Sequence, residues 1–189
     1  MKRRVAIILL LIMLLPMRAH AAEIPEDIRE AAEGIGEAYA VSPALILAIC
    51  YEESRFTPNI KNRSGRNLGL MQVNPAFNKA RMERLGVTRE ELLTVMGNIL
   101  VGTDLLAELF EDYEDVGDVL LQYGGFSKAK KDRYHKDGTL PAYITRLLDR
   151  AAYYEQLLGK EGESHDDATG AEDAGRAADN GGAGQDSAG

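Results

Sequence analysis

Ser42-Pro43-Ala44-Leu45-Ile46-Leu47-Ala48-Ile49-Cys50-Tyr51-Glu52-Glu53-Ser54 is the stretch on which the fold turns. Serine followed by proline is an N-cap and first-turn pair, so the segment opens a helix. The chain's most apolar run outside its first residues, Ala44 to Tyr51, follows without a polar interruption, which places this helix in a core. Two carboxyls, Glu52 and Glu53, stand at its exit. Where water is scarce the ionised form of a carboxyl is disfavoured, and the negative end of the helix dipole acts in the same direction. A glutamic acid kept protonated in this way near neutral pH is ready to donate to a leaving oxygen. At about 100° per residue, Glu53 falls between Ile46 and Ile49 on the wheel and Glu52 between Leu45 and Ala48. The wheel alone leaves both candidates standing.

Working outward, the chain reads as helices joined by short loops, with no alternating strand pattern of useful length. Ile24, Ile28, Ala31, Ile35 and Tyr39 keep helical spacing over a first helix starting near Pro25. Residues 55–68 are polar and carry Pro58 and Gly65, which marks a loop. A helix is expected from Pro75 to Leu85, stopped by Gly86, and Thr88-Arg89-Glu90-Glu91 has the capping-box form that starts a short one. Ile99, Gly102, Leu106, Leu109 and Tyr113 form one stripe of a longer helix, in which Gly102 marks close packing. Val116 to Tyr123 reads as another short helix, Gly124 to Gly138 as a mobile loop, and Pro141 to Leu158 as a final amphipathic helix.

The two ends read differently from the middle. Lys2, Arg3 and Arg4, an apolar stretch from Val5 to Pro16, and Ala19-His20-Ala21 form a secretory signal with cleavage expected after Ala21. That apolar stretch is short for a membrane span, so no stable insertion is expected after cleavage. Residues 161–189 contain Gly, Ala, Asp and Glu but no large apolar residue, and are expected to form a disordered acidic tail. Eight acidic residues there face only Arg176, a net charge of −7 within a chain of −8. Without the four positive charges of residues 1–21, the remainder stands at −12 and residues 22–160 at −5. An acidic, exported protein is a poor partner for nucleic acid. Residues 22–160 have the length of one compact domain. Cys50 is the single cysteine, so no internal disulfide can form, and it reads as a buried small hydrophobe. With His20, His135 and His165 dispersed, no metal cage is expected. Lys128, Lys130, Lys131, Arg133 and Lys136 make a basic run that reads first as a solvated surface.

Glu53-Ser54-Arg55-Phe56, then Pro58-Asn59, then Gly69-Leu70-Met71-Gln72 resembles the active-site signature of the family 1 (SLT-type) lytic transglycosylases. Further matches follow in order. Asn98-Ile99 with Gly102 resembles the family's Asn-Ile-x-x-Gly helix, Gln122-Tyr123-Gly124-Gly125 falls where the family carries Ala-Tyr-Asn, and Tyr143-Ile144 with Leu147-Leu148 resembles its closing helix. The resemblance spans about Ile35 to Leu148. It departs from the family at Gly124, where the Asn after Tyr is missing, at Arg66-Asn67 in place of Gly-Ala, and by about one extra residue between Glu53 and Gln72.

The resemblance implies an all-α, goose-type-lysozyme-like domain with a substrate cleft, acting on peptidoglycan glycan strands without a cofactor. It selects Glu53 over Glu52 as the lone catalytic acid/base. Gln72 and Tyr123 are expected to contact sugar from the cleft walls, Met71 to pack beneath a sugar face, and Ser54 and Asn74 to stand in the cleft. Tyr123 reads equally as a core tyrosine satisfied by a backbone partner. The implied reaction cleaves the β-1,4 bond between N-acetylmuramic acid and N-acetylglucosamine with a 1,6-anhydro product. A hydrolase on the same fold, a non-catalytic glycan-binding assembly factor, and a specialised component of a secretion or conjugation apparatus stay open beside it.

Overall fold

The computed structural model describes residues 23–176, with the backbone path alone from residue 160 onward. The signal proposed for residues 1–21 and the tail residues 177–189 lie outside the described residues. The elements in chain order are α1 (Glu26–Tyr39), α2 (Pro43–Ser54), α3 (Lys79–Leu85), a 3₁₀ turn (Glu91–Leu93), α4 (Val95–Asp112), α5 (Val116–Tyr123), α6 (Lys128–Asp137) and α7 (Ala142–Arg176). Among the described residues there is no strand, only isolated bridges pairing Lys61 with Leu68 and Leu68 with Val73. The all-α expectation holds.

Helix α2 is the axis of the domain. Ser42 Oγ accepts from the Leu45 N–H at 3.3 Å and Pro43 takes the first turn, as the sequence requires. Every residue from Ala44 to Cys50 is buried. Each fully buried Leu or Ile contributes about 2 kcal/mol of transfer free energy, so this one run anchors the core. Helices α1 and α7 pack on α2, α7 most extensively, while α4 closes the other side of α1 and carries α5 and the 3₁₀ turn. Tyr154 from α7, only 1% exposed, reaches Phe56 just past the end of α2.

Three boundaries differ from the sequence reading. The helix expected from Pro75 begins only at Lys79, because Asn74 and Asn78 organise residues 74–78 as turns: Asn74 Oδ1 accepts from the Ala76 N–H, and Asn78 Nδ2 donates to the Asn74 carbonyl. Gly86 still ends it, in the left-handed region. Residues 128–137, expected as a mobile loop, form helix α6. That helix buries none of its side chains and so leaves no apolar period to detect. Its support is a Lys128–Asp132 pair one turn apart at 2.8 Å and a Tyr134 hydroxyl bond at 2.6 Å to Asp115, the N-cap of α5. Helix α7 runs on to Arg176 where the sequence predicts an end at Leu158. The Ala- and Glu-containing stretch beyond 158 holds no proline, and helical backbone needs no core when it continues a helix already nucleated.

Candidate active site

The two carboxyls at the end of α2 are separated by their partners. Glu52, with its side chain 3% exposed, accepts from Arg150 Nε at 2.8 Å and has Arg55 at 3.6 Å and Arg146 at 3.8 Å. Three guanidiniums surround this one buried carboxylate and tie α2 to α7. Arg150 lies over the Tyr51 ring at 3.7 Å and Arg55 over it at 4.2 Å, so the cluster is also packed. It is structural.

Among the described residues no cation pairs with Glu53. The Tyr143 hydroxyl, from the first turn of α7, donates to Glu53 Oε1. Burial raises the Glu53 pKa above the ordinary carboxyl value; the Tyr143 hydrogen bond opposes that shift and the nearby Glu52 charge adds to it. Desolvation is the larger effect, so the proton is held to higher pH than in water. Oε1 is occupied by Tyr143, and Oε2 has no hydrogen-bond partner among the described residues. Tyr143 was visible in the sequence only as part of a closing-helix likeness, and nothing in its spacing announces that it reaches Glu53.

Opposite these residues stands the Gly69–Gln72 turn. Gly69 adopts φ +74°, and a Cβ there would lie 2.1 Å from Asn98 Nδ2 and 2.2 Å from the Leu92 carbonyl, so only glycine fits. Asn98, fully buried on α4, clamps the turn from beneath. Its Nδ2 donates to the carbonyls of Leu68 (2.8 Å) and Leu92 (2.6 Å), and its Oδ1 accepts from the Met71 N–H at 2.7 Å. Gln72 sits at φ +50°, an uncommon conformation for a side-chain-bearing residue, and its Nε2 donates to the Gly69 carbonyl at 2.9 Å. The bridge between Leu68 and Val73 closes the turn on both sides, with N–H to carbonyl distances of 2.9 and 3.0 Å.

The sequence-selected residues divide between cleft and interior. Gln72, Asn74 and Tyr123 line a cavity of about 450 Å³, whose walls also include Arg81, Glu108 and Gly124. Asn74 Nδ2 donates to Asn67 Oδ1 at 3.1 Å across that wall. The Tyr123 hydroxyl donates to the Met71 carbonyl at 2.9 Å. Burial raises its pKa well above the ordinary value, with a further contribution from the Glu53 charge, which sets the two side chains in one electrostatic neighbourhood. Glu53 is not among the residues lining this cavity; it is bonded to Tyr143 and its charge is felt at Tyr123. Met71 is 1% exposed, and its sulfur packs where α4 offers Gly102: a Cβ on Gly102 would lie 2.4 Å from Met71 Sδ. Ser54 is buried, its Oγ donating to the Cys50 carbonyl at 2.7 Å. Met71 and Ser54 therefore support the site from within. The sequence reading passed over Asn98 and Tyr143 as site residues.

The acidic group that does line the cavity, Glu108, is ion-paired with Arg81, which also bonds Asp104 at 2.7 Å and Asn78 at 2.5 Å. Among the described residues no cluster of three or more His, Cys, Asp or Glu side chains could hold a metal ion. No described helix is long and apolar enough to cross a membrane.

A family model described as "Transglycosylase SLT domain" matches residues 30–143, from within α1 to the second residue of α7, and takes in Glu53, Gln72, Asn98, Tyr123 and Tyr143. No curated protein matches the chain.

Proposed function

The chain belongs to the transglycosylase SLT domain family, lytic transglycosylases acting on peptidoglycan, and from this premise we propose that Glu53 is its single catalytic acid/base. The substrate bond is the β-1,4 link from N-acetylmuramic acid to N-acetylglucosamine. Glu53 Oε2 gives its proton to the glycosidic oxygen as the bond to C1 breaks, releasing the N-acetylglucosamine end as an alcohol. The muramoyl acetamido oxygen stabilises the positive charge at C1. The Glu53 carboxylate then takes the proton of the muramoyl 6-hydroxyl as that oxygen bonds to C1. The product is a 1,6-anhydro ring, the glutamic acid is regenerated, and no water is consumed.

The observation that carries this reading is the contrast at the end of α2: one carboxyl neutralised by three arginines, its neighbour desolvated and held by a tyrosine. A general acid needs the second environment. Glu108, neutralised by Arg81, does not compete for the role. Gln72, Asn74 and Tyr123 supply donors and acceptors for sugar hydroxyl and acetamido groups, and the Tyr123–Met71 bond fixes that wall. Work on peptidoglycan supports an exported location, the one also expected from the leader read at residues 1–21.

Mass spectrometry of muropeptides after digestion of purified sacculi tests the proposal. Anhydromuramoyl ends are expected. Reducing ends would replace the reaction by hydrolysis on the same fold, and the absence of any product would make the protein a binding factor.

A further inference from the structure

Beside the cleft lies a second cavity of about 370 Å³ that shares Asn74 and Phe77 with it as common walls and is completed by Gly65, Arg66, Pro75 and Arg89. Phe77 is 87% exposed, more than any other large apolar side chain among the described residues. This bare aromatic on the cavity wall contributes nothing to the core and leaves its ring open to contact. Arg66 and Arg89 make no ion pair with any described residue, whereas Arg29, Arg81, Arg84 and Arg150 all do.

Both cations are carried on ordered backbone. Asn62 Oδ1 accepts from the N–H groups of Arg66 at 2.9 Å and Asn67 at 3.2 Å, which shapes the loop. Arg89 lies within the Thr88–Glu91 capping box and reaches back to the Gly65 carbonyl at 3.5 Å, so the two guanidiniums face one space from two segments. Guanidinium forks match carboxylates in shape and charge. In a chain of net charge −8, two unneutralised arginines in one cavity set a local preference for an anion.

We propose that this cavity takes a free carboxylate of the short peptide carried on a muramoyl lactyl group, with Phe77 against the aliphatic part of that peptide, so that the protein favours peptide-bearing strands over bare glycan. The inference rests on the reading of the protein as acting on peptidoglycan, and deepens it by naming the part of the substrate that sets preference.

The test compares the full chain with the double variant Arg66→Gln/Arg89→Gln on two soluble substrates: glycan chains bearing peptides, and the same chains stripped of peptide by an amidase. Loss of two exposed charge-assisted contacts should raise KM roughly tenfold on peptide-bearing chains, with kcat unchanged. KM on stripped chains should stay as in the parent, and added salt should erode the parent's preference. An equal rise on both substrates would assign the cavity to sugar, and no change on either would empty it of any role; each overturns the proposal. Equilibrium binding of the same two soluble chains, with Glu53→Gln added to both proteins, gives the same comparison without turnover. There the parent should lose affinity on stripping and the double variant should not; equal behaviour of the two would sink the site. Strands bound with that preference but never cut would strike the catalytic reading alone.

Discussion

Exchanging each carboxyl at the end of α2 for its amide should produce opposite phenotypes, and the structure fixes both signs. In Glu53→Gln the side chain keeps its shape and still offers an oxygen to the Tyr143 hydroxyl, but has no proton to give. Turnover should fall about 10³-fold or more, the scale of a lost general acid that has no substitute. The stability effect runs the other way. The folded-state pKa of Glu53 is raised above its unfolded value, so its contribution is fully present below the unfolded pKa and is lost as pH rises through the folded pKa. Above the unfolded pKa the desolvated Glu53 carboxyl therefore costs the fold stability, and the amide removes that cost. The variant's Tm should equal or exceed the parent's at neutral pH, with the advantage vanishing near pH 4, where an unfolded glutamate titrates (about 4.3). Glu52→Gln removes the charge at the centre of three arginines. Breaking a buried pair costs roughly 3–5 kcal/mol. Here the arginines are partly solvated, 26% exposed for Arg150 and 59% for Arg55 and Arg146. The figure is therefore nearer to about 2 kcal/mol, or roughly 6 °C in Tm for a domain of this size. Turnover measured well below that Tm should survive. Release of anhydromuropeptides and a thermal melt, run side by side on both variants, decide the matter. A Glu53→Gln protein that still digests sacculi, or a Glu52→Gln protein that loses turnover with its Tm intact, refutes the assignment.

The remaining expectations concern the surroundings of that carboxyl. Tyr143→Phe removes the hydrogen bond that opposes the rise in the Glu53 pKa, so the alkaline limb of kcat/KM should move to higher pH while kcat falls about tenfold. A limb that moves to lower pH would contradict the description. Gly69→Ala places a Cβ 2.1 Å from Asn98 Nδ2 at φ +74°, and should cost about 3 kcal/mol or more in denaturant unfolding by breaking the clamp under the turn. A variant of parental stability would show that the turn is free to reshape. A chain ended at Lys160 should digest isolated sacculi nearly as well as the full chain, and a collapse of activity would make the acidic tail part of the catalytic unit.

The backbone of the site was legible because its signals are local. Ser42-Pro43 opens α2, the apolar run buries it, and Thr88 with Glu91 forms the reciprocal capping bonds, with the Thr88 N–H 2.7 Å from Glu91 Oε2. Gly102 marked close packing, and Met71 is what packs there. What stayed hidden is what distant segments do to one another. Glu52 and Glu53 are equivalent on a helical wheel, and only α7, about ninety residues on, tells them apart by bringing Arg150 to one and Tyr143 to the other. Asn98 is one polar residue on an apolar helix until the Gly69–Gln72 turn is laid over it. Helix α6 escaped detection for a related reason: its side chains are all at least partly solvated, so no hydrophobic period records it.

Gly124 shows how a departure from the family pattern can be complete in itself. The side chain expected after Tyr123 is absent, and a cleft wall short of one residue would be a defect. A Cβ at this position, however, would lie 2.6 Å from Phe126 Cε2, so the space is filled. The Phe126 ring that fills it stands 6.1 Å from the Tyr143 ring, centroid to centroid, and carries Lys130 Nζ at 4.7 Å on its face. Tyr143 in turn holds Glu53. Glycine at 124 thus makes room for the Phe126 ring, which packs against the tyrosine bonded to Glu53. An asparagine restored at 124 alone would meet that ring and displace it, so the family residue should impair this protein unless Phe126 is shortened with it.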